Sequence, residues 1–498
     1  MNIKKSIAKL LSGNVFVTAS NLIRDITIAS VFGATYVVDM FFLFISIPVF
    51  FITIVTNAMR NVCVPILVEA DKGEGEELYG VLAKRLLFSI LKYASAIILL
   101  ITLAFLIVYY ISGFDGNTIE IPLGVWLALS IIPMYCLAFV IESSQGILQV
   151  KDMFFLPVIS RLGMPVGIIL GAFLLTKNIN IYALGVGGFF GSIIGLILIV
   201  YSFSVAGVFA SRLILKLPYN TYLRFKKNLF LLILGAAITY VNPVVDQWMS
   251  SFYGEGSVAY IGYANRLTIG VASIIMGSIS PVILGYYSEA FYNNQKNKIQ
   301  SVFDLSFTAF TWVGSYMTLS CWFVSKIGID FLYGHGVFSS DDVKIVSKLM
   351  NCYSVQFPFL FASTATYTLI AVVSKNEWFI KFGIIMFVVN IIGNIILGKY
   401  YGLFGIACST VIVYSVSIAL MCRNLHLEKF IYLRIKKILE ALLAICALFV
   451  VGGYLYSIDY WSYSSVKDLL RIEIVFAVYL WLVYGLVTYK RARKALNF

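Results

Sequence analysis

Residues 37–58 read VVDMFFLFISIPVFFITIVTNA. One carboxylate, Asp39, stands near the head of this run, and no other charge interrupts it. A helix rises about 1.5 Å per residue, so about 20 apolar residues cross the hydrocarbon core of a bilayer. Lipid offers no partner for a free backbone N–H or C=O, so a spanning segment must close its own hydrogen bonds. The stretch therefore predicts a transmembrane helix, and runs of the same kind recur along the chain.

The 498 residues are 60% hydrophobic and 12% charged, with a mean hydropathy of +0.92. A soluble protein of this length needs more charge at its surface. Helices are expected near residues 10–32, 37–58, 86–111, 121–146, 154–175, 181–207, 229–252, 262–286, 301–324, 346–373, 378–398, 403–422, 437–457 and 470–489. The expected fold is an all-α polytopic membrane protein of about 14 transmembrane helices. The first segment follows Lys4 and Lys5 without a small-residue cleavage site and reads as an uncleaved helix. The seven cysteines form no CxxC pair and read as small buried hydrophobes.

The net charge of +13 comes from cations between helices, which points to membrane topology and not to nucleic acid. With the N-terminus in the cytoplasm, inside segments hold about 27 of the 37 Lys and Arg. They include Lys72, Lys84, Arg85, Lys151, Arg161, Arg212, Arg224, Lys296, Arg423 and Arg491. The outside connections hold only about 7, such as Lys177, Lys326 and Lys399. An even helix count follows, with both termini cytoplasmic.

A faint repeat adds organisation. SVFGATYVVDMFF (30–42) leads through a helix to VPILVEA (64–70), and SSFYGEGSVAYIGYANRL (250–267) leads through a helix to SPVILGYYSEA (280–290). The offset is about 220 residues, close to six helices, as in transporters built from repeated bundles. Two six-helix lobes around a central cavity are expected, at 1–210 and 229–422. A basic cytoplasmic linker at 211–228 joins them. A basic loop at 423–436 precedes two further helices within 437–498.

Polar residues at bilayer depth carry the functional information, because an ionised side chain there must face protein or water. They are Asn21, Arg24 and Asp25 in the first helix, Asp39 and Asn57 to Arg60 in the second, and Glu142 and Gln145 in the fourth. Asn242, Asp246 and Gln247 follow in the seventh, and Asn265 and Arg266 in the eighth. Arg24 and Asp25 are adjacent and point about 100° apart, so they are not expected to face each other simply. Asn21 shares a face with both, and Asn242 shares one with Asp246. A cationic, water-filled cavity is the simplest account. Arginine suits a diphosphate there because its planar fork donates two parallel hydrogen bonds.

Structural readings stand beside these. Arg24 could pair with Asp39 or Asp25 and lock helices together, Asp39 could cap a helix, and Asp246 could make a structural hydrogen bond. Pro48 and Pro243 are expected to bend their helices. Gly187, Gly191 and Gly195 mark a close-packing face. No nucleotide-binding loop and no hydrolase or metalloprotease constellation is present in the sequence, and His335 and His426 lie in loops. A transporter is expected, not an enzyme.

At several of these residues the chain resembles the MurJ/MviN family of lipid II flippases. RDITIASVFGATYVVDMFF (24–42), VPILVEA (64–70), VNPVVDQWMSSF (241–252), GSVAYIGYANRL (256–267) and LYGHGVFSSDD (332–342) are similar to stretches of that family's pattern. The resemblance implies the fold of the multidrug/oligosaccharidyl-lipid/polysaccharide exporters (the MOP superfamily). It implies that Arg24 and Arg266 are cavity arginines contacting the diphosphate, that Asp39 is a nearby cavity carboxylate and that Asp246 is a cation-site residue. Asp25, Arg60 and Asn265 are further candidate substrate-binding residues, and Asn242 is a candidate beside Asp246 at the cation site. The chain departs from the pattern at Thr18, Thr53, Asn57 and Asn265, and Arg60 offers a replacement cation.

The expected function is translocation of an undecaprenyl-diphosphate-linked saccharide from the cytoplasmic to the outer leaflet by alternating access. The saccharide is that of lipid II, or alternatively an O-antigen, capsule or exopolysaccharide repeat unit. A drug or cation antiporter of the same fold and a membrane glycosyl ligase are the other readings. No cofactor is expected beyond Na+, H+ or the membrane potential as energy source. The partners are the lipid-linked saccharide and membrane lipids, with no nucleic acid, and the protein is expected to be a monomer in the bacterial inner membrane.

Overall fold

The computed structural model describes residues 3–73, 79–88, 120–151, 153, 155–208, 237, 240–373, 375 and 377–432. Most of the helix expected at 86–111, the start of that at 229–252, the linker at 211–228, the end of the 423–436 loop and the two last helices lie outside the described residues. Every regular element among the described residues is helical. Seven helical stretches there are long and apolar enough to cross a membrane, or eight if a bent pair is one span. The protein is an all-α, multi-pass membrane protein.

The chain divides into two compact units, Met1–Ala259 and Tyr260–Phe498. The first holds α1 (Ile3–Phe32), α2 (Tyr36–Gly73), α3 (Glu120–Gln149), α4 (Phe155–Ser160), α5 (Gly163–Leu174), the short α6 (Thr176–Ile179), α7 (Tyr182–Val205) and α8 (Asn242–Ser250). Gly33 ends α1 in the left-handed region, with φ of 66°, and returns its N–H to the Ala29 carbonyl at 2.8 Å. The glycine face expected on α7 packs against α5. A Cβ on Gly191 would fall on the Gly163 carbonyl oxygen, and one on Gly187 on that of Gly167. The two backbones touch because neither side carries a side chain there.

The single helix expected at 154–175 is broken into α4 and α5 by a turn at Arg161 and Leu162. Pro165 lacks the N–H that an unbroken helix would send to the Arg161 carbonyl. Pro243 lies in the first turn of α8, directly after a bend at Val241; residues 237 and 240 before that bend are also helical. Pro48 lies within a continuous α2.

α9 (Ser257–Tyr292) starts at the end of the first unit and runs into the second. The second unit also holds α10 (Lys296–Tyr333), α11 (Ser340–Ser354), α12 (Phe357–Val372), α13 (Glu377–Tyr401) and α14 (Leu403–Leu427). The helix expected at 346–373 is again two, α11 and α12, bent by 41°. Pro358 cannot donate to the Ser354 carbonyl, and that carbonyl accepts the Thr318 hydroxyl of α10 at 2.7 Å instead. α10 approaches closely here, since a Cβ on Gly314 would meet the Phe357 carbonyl oxygen at 2.6 Å. α11 begins with a reciprocal cap. The Ser339 hydroxyl accepts the Asp342 N–H, and the Asp342 carboxylate accepts the Ser339 N–H. Phe357 and Phe361 of α12 lie in the buried core with Tyr287 of α9 and Met421 of α14.

Candidate functional site

Arg24 and Asp25 are in direct contact. Nε and Nη2 of Arg24 donate to Asp25 Oδ1 at 2.9 and 2.8 Å, and Nη1 donates to Asn21 Oδ1 at 3.1 Å. This corrects the expectation drawn from their angular separation. The Cα–Cβ directions diverge, but the arginine stem is long enough to curl the guanidinium back over its neighbour. The Arg24 side chain is 13% exposed and that of Asp25 5%. At that burial an unpaired guanidinium would be costly, and the adjacent carboxylate supplies a countercharge from the same helix turn.

Asp39 is a cap, but for a distant helix. It lies in the first turn of α2, and its two oxygens accept the N–H of Gly256 at 2.6 Å and of Ala259 at 2.7 Å. Those groups belong to the N-terminal turn of α9, whose free N–H groups and dipole favour a carboxylate. The exchange is reciprocal, because the Tyr36 N–H at the start of α2 donates to Glu255 at 3.0 Å. Glu255 was not among the expected site residues. An acid immediately before a helix start is the local signal it leaves, but its partner is 219 residues away.

Asp246 is buried on α8, the helix that packs on α2. One turn earlier the Asn242 side-chain oxygen is buried without a hydrogen-bond partner, and so is that of Gln247. Asn242 and Asp246 share a face at this spacing, and Gln247 follows on the same short helix; side-chain oxygens are the ligands that hard cations take.

In α9, Asn265 and Arg266 are half-buried, and the Asn265 side-chain oxygen is also buried and without a partner. The backbone of Asn57 and Arg60 is helical within α2, and their side chains lie outside the described residues. Glu142 accepts Arg161 Nε at 2.7 Å and Gln145 at 3.4 Å, which ties α3 to the α4–α5 turn. His335 is exposed, its ring Nε2 3.0 Å from the Phe331 carbonyl.

One buried polar pair was missed in the sequence. Asn390 and Asn394 on α13 are fully buried, with a side-chain hydrogen bond of 3.5 Å between them, and the Asn390 carbonyl accepts the Ser409 hydroxyl at 3.2 Å. Their four-residue spacing is the signal that singled out Asn242 and Asp246.

Comparison with known proteins bears on this arrangement. A family model described as lipid II flippase MurJ matches residues 28–474. A probable lipid II flippase MurJ of Buchnera aphidicola subsp. Acyrthosiphon pisum is 24% identical over 495 residues, 95% of this chain and 94% of that protein. The lipid II flippase MurJ of Thermosipho africanus is 28% identical over 401 residues, 78% of each chain. Among solved structures, a lipid II flippase MurJ in an inward closed conformation superposes with a TM-score of 0.76 at 25% identity, covering 97% of this chain and 99% of that one. An inward-facing multidrug resistance MATE transporter of the MOP superfamily reaches 0.61 at 15% identity, over 87% and 95% of the chains. The second likeness concerns the fold alone.

Proposed function

This chain belongs to the lipid II flippase MurJ family, and from that premise we propose that it moves lipid II between leaflets by exchanging the partners of Arg24. It is a multi-pass protein of the bacterial inner membrane and a transporter, not an enzyme. Of the readings open at the sequence, the lipid II flippase is the one that family membership favours over a polysaccharide repeat-unit flippase, a drug antiporter or a glycosyl ligase.

The observation that carries the mechanism is the Arg24–Asp25–Asn21 cluster. A diphosphate offers several anionic oxygens and can take two parallel N–H bonds from the guanidinium fork, where Asp25 now engages it through one oxygen. Without substrate, Asp25 keeps the arginine neutralised. With substrate, the headgroup takes over those donors, and Asp25 reclaims them on release. Arg266 is assigned a second contact with the same anionic class, beside the unpartnered Asn265 oxygen. Asp39 acts as a latch, and its release from the Gly256 and Ala259 N–H groups frees the start of α9 from α2.

The residues around Asp246 fit a monovalent cation, which Asn242, Asp246 and Gln247 would hold and which would couple transport to an ion gradient. The charge distribution supports cytoplasmic termini and export toward the outer leaflet. The direct test is lipid II translocation in proteoliposomes. Arg24→Ala and Arg266→Ala should each lose transport at normal expression and folding, and full activity in both variants overturns the mechanism.

A further inference from the structure

The chain passes from α10 to α11 through a short corner, residues 334–339. Within 335–339 every residue is exposed except Phe338, which is buried. Gly336 lies in the left-handed region there, with φ of 69°. The Phe338 ring centre is 5.8 Å from that of Tyr263 and 5.9 Å from that of Tyr333, and those two are 5.0 Å apart. Tyr333 ends α10, and Tyr263 stands in the second turn of α9. Both tyrosines are fully buried. Three aromatic rings at such separations pack favourably, so Phe338 anchors the corner to α9.

A second contact lies one turn earlier on α9. The Tyr260 hydroxyl donates to Asp342 Oδ1 at 2.5 Å. The other oxygen of that carboxylate accepts the Ser339 N–H in the cap of α11 at 2.7 Å. Asp342 therefore serves the start of α11 and the start of α9 together.

Tyr260 and Tyr263 are three residues apart and are neighbours on the helix surface. A helix held at one point can still roll about its axis. Held at two points one turn apart, by one corner of the chain, it cannot. Arg266 follows Tyr263 by three residues in the same helix, so the roll of α9 sets the direction of its side chain.

We infer that Tyr260, Phe338 and Asp342 are positioning residues, which brace α9 against the α10–α11 corner and fix the roll at which Arg266 meets the anionic headgroup of lipid II. The inference rests on the Arg266 contact proposed above. A guanidinium fork makes two parallel hydrogen bonds in one orientation, and a binding group must be held within about 10–20° of its productive geometry. The brace thus gives the 332–342 motif a part in transport, although the three residues act through Arg266.

The test is a titration of the full chain in lipid nanodiscs with fluorescently labelled lipid II. Arg266→Gln should weaken binding by about 10- to 100-fold, the loss of a hydrogen bond to a charged group. Tyr260→Phe keeps the ring and the α11 cap and removes only the hydroxyl, while Phe338→Ala removes the anchor. Each should weaken binding by about three- to tenfold, a part of the Arg266 loss. Added to Arg266→Gln, neither should weaken it further, because a side chain already removed cannot be misplaced. A general loosening of the fold would instead multiply the two losses, and that result overturns the proposal. Wild-type affinity in either single brace variant also overturns it. Wild-type affinity in Arg266→Gln removes the Arg266 contact itself, and the brace loses its role with it.

Discussion

The carboxylate of Asp39, in the first turn of α2, accepts the backbone N–H of Ala259, in the first turn of α9, at 2.7 Å. The two residues are 220 apart in the chain, and both belong to the first unit. Asp39→Asn keeps one acceptor oxygen and loses the charge. A hydrogen bond to a charged group contributes about 1.5–3 kcal/mol. Hydrogen exchange at 256–260 should therefore rise by about 10- to 100-fold, and transport should fall. Unchanged exchange in that segment removes Asp39 as the latch.

Arg24 engages its partners through all three guanidinium nitrogens. Arg24→Lys retains the charge without the fork and should transport far more slowly than the wild type, with Arg24→Ala inactive. Asp25→Asn removes the competitor for the guanidinium. It should lower the apparent KM for lipid II and lower kcat as well, because release of the diphosphate loses its replacement partner. Steady-state kinetics in proteoliposomes separate the two effects. A raised KM in Asp25→Asn contradicts the exchange.

The backbones of α5 and α7 touch where a Cβ on Gly191 would fall on the Gly163 carbonyl oxygen. Gly191→Ala should therefore force the helices apart and destabilise the first unit by about 1–3 kcal/mol. Gly285 on α9 faces open space, and Gly285→Ala should be neutral or stabilising, by up to about 1 kcal/mol. Thermal unfolding in detergent compares the pair; equal melting temperatures would contradict the packing argument.

The Thr318 hydroxyl is the donor that serves the Ser354 carbonyl at the α11–α12 break. Thr318→Val leaves that buried carbonyl short of a donor and should cost about 1–3 kcal/mol, with Thr318→Ser close to wild type. Pro358→Ala restores a backbone N–H able to reach the same carbonyl. In that background the Thr318→Val penalty should shrink, and a double-mutant cycle measures the coupling. Additive losses would show that Pro358 does not create the vacancy Thr318 fills.

Asp246, with the unpartnered oxygens of Asn242 and Gln247 beside it, should confer ion dependence. Asp246→Asn is expected to transport at the rate the wild type shows without a Na+ or proton gradient. Gradient stimulation persisting in that variant would place the coupling site elsewhere.

Membrane spans are legible in a linear sequence because hydropathy over about 20 residues is a local property and the bilayer a uniform solvent. The run at 37–58, the polar positions and the glycine face on α7 follow from composition and spacing alone. The two interruptions at Pro165 and Pro358 were written in the sequence as well. A hydropathy window hides them because it sums side chains and does not follow which carbonyl has lost its donor. The contact of Arg24 with Asp25 is hidden for a related reason, since an angle between Cα–Cβ directions ignores the reach of a four-bond stem.

What the amino-acid order determined by itself is where the chain turns helical, where it meets lipid and which of its polar groups need partners. Which partners they find was left to the tertiary structure. Asp39 with Gly256 and Ala259, Glu255 with Tyr36, and Thr318 with Ser354 come from separate elements. A hydrogen bond depends on separations of a few tenths of an ångström, and only the packing of whole helices sets distances that finely.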